Sequence, residues 1–172
     1  AVTLLERAWD LAPLDALVNN AAIFLPGNAL ETSLELWQKH LAINLTAPFL
    51  LSQAFARRLA PDREGRVLNI LDWRALRPGR DHFAYTISKA ALAAMTQALA
   101  VGLAPNVLVN GLAFGAILPP ADGAGTEKIL QNVPAGRWAD LREVAESVVF
   151  LLSGPAYITG EILHLDGGRH LV

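Results

Sequence analysis

Apolar positions along this chain fall into two rhythms. Three short blocks are apolar almost without a break: Leu14-Asp15-Ala16-Leu17-Val18-Asn19, Val67-Leu68-Asn69-Ile70-Leu71 and Val107-Leu108-Val109-Asn110-Gly111-Leu112. A fourth, Ile162-Leu163-His164-Leu165, lies near the end. Such runs are expected of strands buried on both faces. Between them the apolar residues recur at helical spacing, which predicts helices over 3–11, from about 34 to 59, over 84–103 and over 141–153. Thr32 and Glu35 have the spacing of a capping box at the start of the second helical region, and Pro48 is expected to bend it. The segment 73–83 holds Pro78 and Gly79 and is expected to be a loop, and 115–126, rich in Gly and Pro, is expected to be a mobile one.

Strands alternating with helices predict a parallel sheet covered on both faces, an α/β doubly wound, Rossmann-like fold. No repeat, low-complexity tract or linker divides the chain, so residues 1–172 are expected to form one domain. Apolar residues make up 53% and charged residues 17%, which fits a packed core and excludes a disordered chain. The net charge of −2 gives no footprint for nucleic acid or an anionic membrane. Cysteine is absent, which excludes disulfides and thiolate metal sites, and the four histidines show no ligand spacing. No uncharged apolar run approaches about 18 residues, so no spanning helix is expected. The first residues do not read as a signal peptide, and the expected setting is cytoplasmic.

The chemistry concentrates in Tyr85-Thr86-Ile87-Ser88-Lys89. Side chains at i and i+4 share a helix face. An ammonium there is expected to favour the phenolate and lower the Tyr85 pKa toward neutrality, suiting it to proton transfer. Asp72 stands thirteen residues earlier, at the end of the second apolar block. A Tyr and a Lys at this spacing also occur on ordinary helix surfaces, so the neighbours decide the reading.

Those neighbours resemble the short-chain dehydrogenase/reductase family over essentially the whole chain. Asn19-Asn20-Ala21-Ala22 is similar to that family's Asn-Asn-Ala-Gly turn, with Ala22 asking for a turn without positive φ. Asn44 matches the Asn of the long helix, and Tyr85 with Lys89 the catalytic pair. Phe114-Gly115-Ala116-Ile117 stands where the family carries Pro-Gly and a nicotinamide-contacting residue. Tyr157-Ile158-Thr159-Gly160 and His164-Leu165-Asp166-Gly167-Gly168 match its C-terminal strand region. The family's usual Ser before the Tyr is Asp72 here, which resembles the pteridine reductase branch. A carboxylic acid can help protonate a ring nitrogen when a C=N bond accepts hydride; a loop Asp capping a turn is the alternative.

The resemblance implies roles. Tyr85 would be the proton donor, Lys89 would hold the nicotinamide ribose, Asn44 would support a water leading from Lys89 to solvent, and Asp72 would assist protonation. Asn19, Ala21, Gly115 and Ile117, with Tyr85 and Lys89, would form the cofactor side. Trp73 and Phe83 are candidates for the substrate pocket, where a flat pterin would stack. NADP is expected in preference to NAD, and a homo-oligomer, dimer or tetramer, is expected across the long helices and the last strand. A carbonyl or alcohol is the alternative substrate. Family members also carry a Gly-rich phosphate loop and roughly 70 residues ahead of the Asn-Asn-Ala-Gly turn that have no counterpart here. Truncation at the N-terminus is therefore expected, with a non-catalytic, partner-binding remnant as the other account.

Overall fold

A computed structural model describes residues 2–120, 123 and 125–172. Strands β1 (Ala16–Asn19), β2 (Gly65–Asp72), β3 (Val107–Phe114) and β4 (Ile162–Leu165) form a parallel sheet in the order β1-β2-β3-β4. The helices are α1 (Val2–Leu11), α2 (Leu34–Leu41), α3 (Ala47–Arg58), α4 (Phe83–Leu103), α5 (Thr126–Leu130) and α6 (Leu141–Ser153). Side chains alternate across each strand. Val67 and Val109 meet Leu5 of α1, Phe55 of α3 and Ala100 of α4, whereas Leu68, Ile70 and Leu112 meet Leu151 of α6 on the opposite face. Helices on both faces of a parallel sheet make the expected α/β Rossmann-like fold.

A buried polar chain crosses the first of those faces. Ser52 Oγ donates to Pro48 O, Asn19 Nδ2 to Ser52 Oγ and Asn69 Oδ1, Asn69 Nδ2 to Thr96 Oγ1, and Thr96 Oγ1 to Leu92 O. The four side chains are buried. They tie α3, β1, β2 and α4 together, and they fix the pairing of Asn19 with Asn69 in the β1–β2 register. On the other face Asn110 donates to Ile158 O and accepts from Glu161 N, docking the approach to β4 on β3.

Several expectations need correction. β1 is not buried along its length, since Ala16 and Val18 are exposed and only Asn19 is buried; β1 pairs with β2 and, among the described residues, has no second neighbour. Thr32 does not cap α2. Asn28 Oδ1 accepts from the amides of Leu30 and Glu31, Thr32 Oγ1 donates to Asn28 O, and Ser33 becomes the N-cap, accepting from Leu36 N. A complete capping box instead opens α6, between Asp140 and Glu143. The bend before Pro48 is a π-helical turn at Ala42–Thr46 that joins α2 to α3. Trp73–Ala75 form a 3-10 turn inside the expected loop, and α5 starts at the end of the expected mobile segment, of which 121, 122 and 124 lie outside the described residues. By length and hydropathy alone α4 could cross a membrane. Here its buried residues pack against β2 and β3, the place of a central core helix.

Gly115 follows β3 where the backbone of Asp166 passes. A Cβ on Gly115 would lie 2.6 Å from Asp166 Cα and 2.8 Å from its carbonyl oxygen, and backbone cannot swing aside. Gly102, near the end of α4, has open space around it. Gly115→Ala is expected to destabilise by about 1–3 kcal/mol or more, while Gly102→Ala stabilises by about 0.5–1 kcal/mol through lower unfolded-state entropy. Urea unfolding of the two variants checks both signs.

Candidate active site

The carboxyl ends of the parallel strands gather the residues singled out from the sequence. Asp72 is the last residue of β2, and Tyr85 and Lys89 lie on the first turns of α4. Tyr85 donates its phenolic proton to Asp72 Oδ2 at 3.0 Å. Asp72 Oδ1 accepts from the amide of Arg74, which starts the 3-10 turn. Lys89 Nζ donates to Ile70 O at 2.7 Å and stands 5.9 Å from the centre of the Tyr85 ring. Asp72 therefore caps the turn with one carboxylate oxygen and accepts from the Tyr85 phenol with the other.

This arrangement reverses the expected electrostatics of Tyr85. Its pKa is raised, first by burial and then by the charge and hydrogen bond of Asp72, with Arg74 opposing. The Lys89 ammonium is held by the sheet carbonyl of Ile70. Burial also raises the pKa of Asp72, against the hydrogen bonds from Arg74 and Tyr85 and the charges of Arg74 and Lys89. Burial lowers Lys89 to about 8, with Asp72 opposing. The phenol and carboxyl are thus biased toward keeping their protons, while the amine is poised to exchange one near neutrality.

Asn44 sits in the π-helical turn and is fully buried. Its Oδ1 accepts from Ile23 N, and its Nδ2 donates to Ile23 O and to Ser88 Oγ. Both amide hydrogens are thereby engaged, so Asn44 clamps the loop after β1 onto α4 one residue before Lys89 and does not contact Lys89 itself. Asn19 turns its amide into the polar chain. Ala21 is exposed and, with Asn19 and Asn20, lines one end of a groove of about 340 Å³ that runs beside β1 past Leu17, Ile43 and Leu51. Ala22 has no positive φ, as its turn required. Gly115 lies at the β3–β4 crossing and Ile117 is half-buried just beyond.

Sequence reasoning missed the groups around these residues. Phe24 meets Tyr85 edge to face at 4.6 Å and stacks on His82 at 3.8 Å. His82 precedes α4 with φ of +52°, and Asp81 holds both His82 and, through two bonds, Arg74. Two guanidinium groups, of Arg74 and Arg169, lie 5.1 and 4.3 Å from the Trp73 ring, while Phe83 packs against Trp37. Only the positive φ has a local cause; the pairing of Trp73 with Arg169 spans most of the chain and has no pattern to betray it.

The depressed Lys89 pKa has a consequence for stability. Between about 8 and 10.5 the folded chain holds fewer protons at Lys89 than the unfolded chain, so stability rises with pH across that window. Below about 8 both states are protonated and the cost of burying the charge is fully present. Lys89→Met is expected to remove this rise, measured as the difference in urea midpoint between pH 7.5 and pH 10.5 relative to the unsubstituted chain.

Comparison with known proteins places this geometry. Residues 1–170 match the family model described as "Enoyl-(Acyl carrier protein) reductase". The chain is 40% identical over 170 residues to the 3-oxoacyl-[acyl-carrier-protein] reductase FabG of Aquifex aeolicus, covering 95% of this chain and 68% of the relative. It is 36% identical over 177 residues to the 5-keto-D-gluconate 5-reductase of Escherichia coli, covering 98% and 68%. Among solved structures it is similar to FolM alternative dihydrofolate reductase 1 from Brucella canis complexed with NADP, with TM-score 0.91 and 35% identity over 99% of this chain and 69% of that one. It is also similar to a blue fluorescent protein from a metagenomic library in complex with NADPH, with TM-score 0.89 and 35% identity over 98% and 70%. With a family model matched almost end to end and a Tyr–Lys pair set at the carboxyl ends of a parallel sheet, the chain belongs to the short-chain dehydrogenase/reductase family of NAD(P)-dependent oxidoreductases.

Proposed function

We propose that this chain carries the catalytic portion of an NADPH-dependent reductase that reduces a C=N bond of a dihydropterin, with Tyr85 as proton donor. The observation that carries this reading is the 3.0 Å hydrogen bond between Tyr85 and Asp72, two groups that burial biases toward their protonated forms. When hydride reaches the carbon of a C=N bond, its nitrogen must gain one proton. Tyr85 gives that proton. Asp72, accepting the phenol's hydrogen bond at Oδ2, orients Tyr85 and assists protonation of the substrate. The FolM likeness supports both the substrate class and NADP.

The residues fit the nicotinamide end of such a cofactor. Lys89 is buried, and among the described residues one of its three N–H donors is used, on Ile70 O. The vicinal hydroxyls of a ribose would take the other two. Bound there, NADPH supplies the hydride. Ala21, Ile117 and the crossing at Gly115 would border it, and Asn19 and Asn44 would hold the turns that do so.

The exposed Phe49, Leu50 and Val101 on α3 and α4 support assembly into a dimer or tetramer across those helices. One domain over 1–172 acting in the cytoplasm completes the reading. A carbonyl substrate is the second reading, favoured by the 40% and 36% identities to a 3-oxoacyl and a 5-keto sugar-acid reductase.

NADPH oxidation followed at 340 nm, with 7,8-dihydrobiopterin against 5-keto-D-gluconate, separates the two. Tyr85→Phe is expected to lower kcat by about 100-fold or more while NADPH affinity stays within a few-fold; near-normal turnover would remove Tyr85 from the proton-donor role. Asp72→Ser is expected to depress pterin turnover selectively. Pterin turnover that survives this change would leave Asp72 a turn-capping residue.

A further inference from the structure

Beside the Asp72–Tyr85 pair lies a second concavity that the hydride and proton chemistry does not use. It has a volume of about 240 Å³ and is lined by Trp73, Arg77, Pro78, Gly79, Asn132, Arg169 and Val172. Trp73, in its wall, is the residue after Asp72. Its cations are held in place. The Arg169 guanidinium carbon lies over the Trp73 ring, 4.3 Å from its centroid, and Arg77 Nη1 donates to the carbonyl of Arg169 at 3.4 Å.

What separates these two arginines from most others is the absence of a counterion. Arg58, Arg63, Arg66, Arg74, Arg137 and Arg142 each pair with a carboxylate. Among the described residues neither Arg77 nor Arg169 does. Asp72, Asp81 and Asp166 lie within electrostatic reach of Arg169, but none within salt-bridge distance. Its Nε is buried without an acceptor, and an unmet buried donor is costly. Burial and the charge of Arg74 both act against the Arg169 cation, the strain expected of a site that awaits an anion. A guanidinium with free N–H groups on an aromatic wall is suited to a carboxylate at the end of a flat molecule.

We propose that the Trp73–Arg77–Arg169 pocket is an anion subsite that binds a carboxylate borne on the substrate's tail, remote from the bond being reduced. This rests on the pterin reading for its kinetic arm, in which the preferred substrate is an acidic, pteroylglutamate-like dihydropterin. It does not rest on that reading for binding. The pocket selects the tail, and Asp72 with Tyr85 acts on the ring.

Binding of p-aminobenzoyl-L-glutamate and of its uncharged diamide is measured by calorimetry at fixed ionic strength, for the unsubstituted chain and for Arg169→Gln, Arg169→Lys, Arg77→Gln and the surface control Arg142→Gln. The expected result is that the acid binds tighter than the diamide, that Arg169→Gln weakens the acid by about 10- to 100-fold, that Arg77→Gln weakens it less, that Arg169→Lys restores part of the loss, and that Arg142→Gln changes nothing. Equal binding of acid and diamide, no binding of either, or an equal loss in Arg142→Gln overturns the subsite. Should Arg169→Gln prove poorly folded by circular dichroism, Arg77→Gln and Arg169→Lys decide, and affinities for the acid within twofold of the unsubstituted chain in both overturn it. The kinetic arm compares dihydrofolate with 7,8-dihydrobiopterin. Turnover of neither, with acid binding that depends on Arg169, removes the pterin reading and keeps the subsite. Turnover of both, with KM for dihydrofolate unmoved by Arg169→Gln, keeps the reading and removes the subsite.

Discussion

The chain of buried side chains from Ser52 through Asn19 and Asn69 to Thr96 is the constraint on which the rest of the structure depends. A parallel strand of four residues has little apolar area with which to fix its register. The Asn19–Asn69 bond fixes it chemically, because a slip by one residue would leave two amides unpaired in a dry environment, at about 1–3 kcal/mol each. With β1 so placed, the loop beyond it reaches Asn44, and Asn44 ties that loop to Ser88 on α4. The Tyr85–Lys89 turn is therefore positioned from both sides by amide side chains.

The site inverts a common intuition about neighbouring charges. Lys89 and Tyr85 share a helix face, yet the ammonium spans to the sheet and the phenol to the carboxyl of Asp72. Each proton-bearing group answers to a partner on β2 and not to its helical neighbour. Burial then sets the three pKa shifts, upward for the two acids and downward for the amine.

Much of this was legible in the sequence, for local reasons. α6 and β4 begin and end where their periodicity changes, and the continuous apolar runs of β2 and β3 correctly foretold burial on both faces. β1 carries the same kind of run, yet among the described residues it has β2 alone beside it. Thr32 was misread because two hydroxyl residues stand side by side, and the Asx turn at Asn28, not a consensus, decides which one caps. The direction of the Tyr85 shift was illegible because spacing reports which side chains are near, not where their ends turn. Arg169 was illegible because nothing in a chain predicts which ring a distant guanidinium will cover.

His82 is the described non-glycine residue with positive φ, a conformation that costs an L side chain about 1 kcal/mol or more. Glycine would relieve it, yet would remove the ring that stacks on Phe24, which in turn walls Tyr85. A relaxed turn and a ring against Phe24 are therefore opposed demands at this position. Drift toward glycine would make a sturdier turn and a looser wall, and any lineage that kept a ring here would be retaining local instability for the sake of the phenol it shelters.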